Sequence, residues 1–203
     1  MESKQEISES KHAARSRATR AALVSAARGL FATRGYAAVG TEEVVRAAGV
    51  TRGALYHQFA DKLALFDAVV EEVEAETTRR IAEGSLAAGD GPLRALRAGA
   101  RQFLEVCTEP EVERILLLDA PAVLGWERFR EIGLQYGLGL VSGVLAAGME
   151  AGEIIRQPVE PLAHMLIGAL DEGAMYVARA GDRGAARAEV VAIVDRLVDG
   201  LTP

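Results

Sequence analysis

Between positions 51 and 62 the chain gathers Thr51, Arg52, Tyr56, His57 and Lys62, each able to donate a hydrogen bond to an oxyanion. Gly53 and Ala54 stand among them, small enough to let a helix surface come close to another molecule. The Arg52 guanidinium can make two parallel hydrogen bonds to a guanine edge or one to a phosphate, and Ala54 can touch a thymine methyl. Donors on either side of small residues suit recognition of a polyanion rather than bond-breaking chemistry. The usual catalytic patterns are missing from the sequence: it has no G-x-S-x-G, no P-loop, no dinucleotide glycine pattern after a strand and no H-E-x-x-H. His12, His57 and His164 lie far apart, and the single cysteine, Cys107, excludes a multi-cysteine metal site or an internal disulfide framework. No enzyme activity, cofactor or metal is expected.

Charge divides the 203-residue chain. Residues 11–60 carry eight basic side chains against Glu42 and Glu43, whereas residues 61–203 carry 14 basic and 24 acidic ones, within a net charge of −6. A basic end on an acidic body fits one part that meets a polyanion and another that does not. A nucleoid-type protein that coats DNA without preference would be basic throughout. Nothing near the start reads as a secretion signal, so a cytoplasmic protein is expected.

The elements that must position these residues follow from apolar spacing. Residues 1–15 read as a flexible polar arm. From Ser16 to Arg34, Leu23, Ala27, Leu30 and Phe31 share one helix face, and Gly35 follows as a stop. Thr41 is expected to cap a short second helix with Val44, Val45 and Ala48 turned inward, ended by Gly49. Thr51 is expected to cap a third helix to about Gln58, burying Leu55 and Phe59, and Lys62 opens a fourth with Leu63, Phe66, Val69, Val70 and Val73 along one stripe. A short helix, a glycine turn and a second short helix make a helix-turn-helix, whose second helix fits the DNA major groove.

The stretch FATRGYAAVGTEEVVRAAGVTRGALYHQFADKLALF, residues 31–66, resembles the TetR-type transcriptional regulators. It fixes helix one, both helix-turn-helix helices and the start of helix four together. The resemblance implies that Thr41, Thr51, Arg52, Gly53, Ala54, Tyr56, His57 and Lys62 lie where family members contact DNA. One departure is visible: many members place histidine directly before the phenylalanine, where this chain has Gln58, with His57 one position earlier. On the residues alone, Tyr56 holds a phosphate or packs on helix one, Lys62 holds a phosphate or is solvated, and Arg52 reads a base or touches phosphate only. Arg15, Arg17 and Arg20 supplement binding or solvate a helix face.

The domains expected are the arm at 1–15, a helix-turn-helix domain at 16–61 and a body at 62–203, all α-helical. After a loop at 84–92 come helices through Leu93–Leu104, about Gly125–Met149, Glu160–Arg179 and Ala185–Leu201, with a proline-punctuated segment around Ile115–Leu118. The charge-free stretch from Ile132 to Met149 contains Gln135, Ser142 and five glycines, and reads as a buried helix rather than a membrane span; Gly139 and Gly143 are expected to allow close approach or leave space beside a cavity. The last two helices are apolar beyond one stripe, as a two-fold dimer would require. The family resemblance implies that this body binds a small-molecule effector and dimerises. Its candidate pocket residues are Phe103, Cys107, Trp126, Phe129, Gln135, Tyr136, His164, Met165, Asp171 and Met175; each is also a plausible ordinary core residue. The leading reading is a homodimeric repressor released from a pseudo-palindromic duplex by an effector, with no membrane partner. The alternative is a helical small-molecule carrier or enzyme with an incidental basic end.

Overall fold

Apolar residues recur at helical spacing along the whole chain, and in the computed structural model they fold as helices with no strand among the described residues, which are 2–87, 89 and 91–203, with backbone alone for 2–11. Two compact units form, dividing between Glu71 and Glu72. That division falls inside the fourth helix rather than at its start.

Unit 1 holds α1 (Glu2–Arg34), α2 (Thr41–Ala48), α3 (Arg52–Gln58) and the first turns of α4 (Lys62–Ala87). The helix expected from Ser16 begins at Glu2, taking in the stretch read as an arm. Residues 2–34 contain no proline, and their first glycine is Gly29, so nothing local stops the helix earlier. Gly35 and Gly49 adopt φ of 76° and 66°, the left-handed geometry that ends α1 and α2.

One expected cap moves by a residue. Gly40, not Thr41, is the N-cap of α2, and the Glu43 carboxylate accepts from the Gly40 N–H at 3.1 Å. Glycine reaches the extended cap geometry, and Glu43 three residues on takes the reciprocal half of a capping box by accepting from the Gly40 N–H. Arg34 donates to Glu43 at 2.7 Å and to the Ala38 carbonyl at 2.8 Å, fastening the end of α1 to the first turn of α2. The Arg34 hydrogen bond, with the Gly40 N–H second, holds the Glu43 carboxyl below the usual carboxylate range. Leu23, Ala27, Phe31, Val44, Leu55, Phe59, Leu65 and Phe66 make the core. Phe66 meets Phe31 edge-on at 5.3 Å, with Tyr36 at 4.9 Å from Phe66.

Unit 2 continues with the rest of α4, then α5 (Pro92–Val106), α6 (Pro110–Val112), a π-helical segment (Glu113–Asp119), α7 (Ala120–Val123), α8 (Trp126–Glu150), α9 (Val159–Arg179) and α10 (Arg183–Asp199). α5, α8, α9 and α10 pack on one another. In the π-helical segment the Ala120 N–H reaches back five residues to Ile115, and Ile115, Leu116 and Leu117 are all buried. α5 lacks a side-chain cap at Gly91, and Glu153 fills that role by accepting from the Leu93 N–H at 3.0 Å. Arg97 and Arg101 of α5 pair with Asp195 of α10. α8 is, among the described residues, the one helix long and apolar enough to cross a bilayer by length and composition. Here it packs on α5 and α9 and buries Phe129, Ile132, Leu145 and Met149.

Candidate nucleic-acid interface and effector cavity

α3 is held from behind and open in front. Leu55 and Phe59 enter the core. Gln58 donates to Ser16 Oγ at 2.8 Å, and Arg20 lies 4.4 Å over the Phe59 ring, so α1 grips the back of α3. Gln58 is the residue standing where many family members have histidine, and its amide makes a structural tie here. Arg20, though exposed, lies along the same face and donates to the Gln58 carbonyl at 3.4 Å.

Toward solvent, Thr51 Oγ1 accepts from the Ala54 N–H at 3.2 Å and caps α3 as expected. Thr51, Arg52, Gly53, Tyr56 and His57 are exposed and Ala54 is half-buried. A Cβ on Gly53 would meet only Thr51 Oγ1, at 4.0 Å, so the first turn of α3 presents an open surface. The Arg52 guanidinium sits 5.6 Å from the Tyr56 ring and 3.4 Å from Glu42 Oε1. Both partners of that ion pair are well solvated, so Arg52 is only loosely restrained. Tyr56 is 45% exposed, which places its ring beside Arg52 at the surface rather than in the core.

Two of the eight candidates are set back. Thr41 is half-buried as the first residue of α2. Lys62 Nζ donates to the Tyr36 carbonyl at 2.6 Å and lies 3.9 Å over the Tyr36 ring, tying the start of α4 to the connection between α1 and α2.

Unit 2 holds a partly open cavity of about 100 Å³ between α4, α5, α8, α9 and α10. Its wall is mostly aliphatic. Gly133 and Gly137 of α8 border it, and a Cβ at either would meet nothing within 4 Å, so their missing side chains make part of the space. The glycines singled out by sequence, Gly139 and Gly143, are exposed instead.

Of the ten pocket candidates, Phe103 and Asp171 line this cavity. Cys107 borders a much smaller void with Glu113 and Arg183, and burial pushes its thiol well up, away from reactivity. Trp126 is 56% exposed and meets the buried Phe129 ring at a tilt, 5.5 Å between centroids, and Met165 is 73% exposed. Gln135 is exposed, Tyr136 half-buried and Met175 buried, all outside the cavity wall. His164 contributes its backbone: Arg130 donates to its carbonyl at 3.0 Å and to Asp171 Oδ2 at 3.1 Å.

The sequence reading missed Glu74, which lines the cavity from α4. No hydrogen bond or ion pair reaches its carboxylate from the described residues. It keeps some accessible surface because it borders empty space, yet it lies deep enough that burial, with the nearby charge of Asp171 second, pushes it up to about 7. Burial also pushes Asp171 up to about 6, against the opposing pull of Arg130. One signal for Glu74 was available: Val70, Glu74, Thr77, Thr78, Ile81 and Ser85 fall at i, i+4, i+7, i+8, i+11 and i+15, so Glu74 continues the inward stripe.

Comparisons with known proteins agree with this division. Residues 23–69 match the family described as bacterial regulatory proteins, tetR family, and residues 93–201 match the tetracyclin repressor-like C-terminal domain. The crystal structure of a TetR-family transcriptional regulator from Pectobacterium atrosepticum is 35% identical, with a TM-score of 0.82 over 93% of this chain and 96% of that one. The transposon Tn10 TetC protein of Escherichia coli is 26% identical over 75% of this chain and 76% of its own. An HTH-type transcriptional repressor of Mycobacterium tuberculosis is 35% identical over 57% of this chain and 60% of its own.

Proposed function

We propose, for a chain that belongs to the TetR family of DNA-binding transcriptional regulators, a homodimeric repressor that leaves a pseudo-palindromic operator when a small molecule enters the unit 2 cavity. The observation that carries the DNA half of this reading is the solvent-facing turn of α3. Arg52 and Gly53 stand there exposed with Ala54 half-buried beside them, flanked by the exposed Thr51, Tyr56 and His57. In the major groove Arg52 reads a base while Tyr56, Thr51 and His57 hold phosphates. Thr41 and Lys62 join at the edges, Lys62 turning part of its ammonium from Tyr36 to phosphate.

Release follows from a shared helix. α4 begins with Phe66 in the unit 1 core and later supplies Glu74, Thr78, Ile81 and Ser85 to the cavity wall. A ligand that favours one arrangement of that wall shifts α4, and with it the spacing of the two recognition helices. The test is a titration of operator DNA with and without candidate effectors.

Arg52→Ala is expected to cost about 1–3 kcal/mol of operator binding and to relax selectivity at one base position. Competition among operators altered one base pair at a time checks it; uniform weakening across all of them would leave Arg52 a phosphate contact only. Gly137→Leu places a side chain in the open cavity. It is expected to raise stability by about 0.5–1 kcal/mol through helix propensity, to leave operator binding intact and to abolish release by any compound that frees the unaltered protein. Release unchanged in that variant would move the effector site elsewhere.

A further inference from the structure

The chemistry of the cavity wall is one-sided. Two carboxyl groups, Glu74 and Asp171, border it, with the Thr78 and Ser85 hydroxyls as the other polar side chains and no lysine, arginine or histidine in the lining. Arg130 on α8, the cation paired with Asp171, is taken up by that carboxylate and the His164 carbonyl. α5 brings only Ala95, Leu96, Gly99, Ala100 and Phe103, and α10 brings Val194, Leu197 and Val198. Cys107, close enough to feel the charge of Glu74, is a neutral thiol. The Glu74 carboxylate therefore faces the cavity with no partner among the described residues, a costly placement for a charge unless something else pairs with it.

We propose that the effector of this site is a compact apolar amine, bound as its ammonium, whose N–H groups donate to the Glu74 carboxylate while its hydrocarbon fills the space beside Gly133 and Gly137. This rests on the reading of the cavity as the effector site and specifies its ligand. An anion meets like charge from Glu74 and Asp171 in that wall, with only the Thr78 and Ser85 hydroxyls to donate to it. A neutral hydrocarbon leaves Glu74 as unpartnered as before. The volume of about 100 Å³ is below the roughly 150 Å³ that admits benzene, so the guest is no larger than a single ring with part of it extending through the cavity's open side.

Three probes of one shape separate the possibilities: benzylamine, benzyl alcohol and benzoate at millimolar concentration, read by calorimetry on the full-length protein at pH 8. Benzylamine is expected to bind at least about tenfold more tightly than benzyl alcohol, with no binding of benzoate. In Glu74→Gln, which keeps shape and removes charge, the amine is expected to fall to the affinity of the alcohol. Amine affinity in the unaltered protein is also expected to drop as pH falls through about 7, because Glu74 must lose its proton to pair with a cation. Equal or better binding of the alcohol or benzoate, no binding of any probe, or amine binding untouched by Glu74→Gln would overturn the inference. Gly137→Leu keeps its failure apart from that of the cavity reading. Binding of the alcohol that ignores Glu74→Gln but disappears in Gly137→Leu leaves an effector cavity of different preference, whereas binding that survives Gly137→Leu lies outside the cavity.

Discussion

Replacing Met165 and Tyr176 together with glutamate is expected to convert a dimer to a monomer and to weaken operator binding by roughly 10²–10⁴-fold, the factor lost when two linked half-site contacts become one. The two residues lie three turns apart on one face of α9, 73% and 55% exposed. Ile193 and Leu197, one turn apart on α10, are about half exposed. The inward faces of the same helices are already occupied: Ala163, Ile167 and Ala174 on α9, and Ala186, Val190, Val194 and Val198 on α10, are buried within the unit. Two adjacent helices, each apolar inside and carrying large apolar side chains outside, offer the face that the proposed homodimer would bury. Light scattering reads the mass and a titration of operator DNA reads the affinity. A variant that remains dimeric would place the interface on another face, while a monomer with unchanged operator affinity would remove the need for paired recognition helices.

Phe66→Ala is expected to cost about 3–5 kcal/mol and to abolish DNA binding at temperatures where the unaltered protein is folded. Phe66 is completely buried and contacts Phe31 and Tyr36, so its ring joins the end of α1, the connection to α2 and the start of α4. Alanine leaves a ring-sized hole among three segments whose relative placement sets the back of α3. A loss of that size is a large fraction of the stability of a typical domain. Urea unfolding followed separately for unit 1 and unit 2 checks it, with Phe66→Leu as a control that restores much of the volume. A change below about 1 kcal/mol would show that the aromatic cluster is not what holds unit 1 together.

Local physics made the DNA-binding end legible. Thr51 as a cap, Gly35 and Gly49 as left-handed stops, and Leu55 and Phe59 as core each depend on neighbours a few residues away, and the structure bears these out. The errors there were also local: a glycine cap completed by Glu43 looks, in sequence, like a cap at Thr41. The ties made by Lys62, Gln58 and Arg20 were not legible, since their partners Tyr36, Ser16 and Phe59 are set by the fold. In unit 2 the limits are stronger. The cavity exists only where faces of α4, α5, α8, α9 and α10 converge, and no short-range pattern fixes that convergence. Aromatic and sulfur-bearing residues drew attention to Trp126, Met165 and Cys107, yet the wall is built by aliphatics and by the absence of side chains at Gly133 and Gly137. Glu74 was hidden among Glu71, Glu72 and Glu76, where a run of acids reads as a solvated face unless helix phase is counted.

Selection of binding sites from a random duplex pool, at near-physiological salt and with the full-length protein, tests the central claim most directly. The expected result is an enriched inverted repeat with half-site centres one helical turn, about 34–36 Å, or a multiple of it apart, bound at least about a thousandfold more tightly than unrelated duplex. Recovery of no common sequence, with binding that is equal across duplexes and steeply salt-dependent, would contradict it.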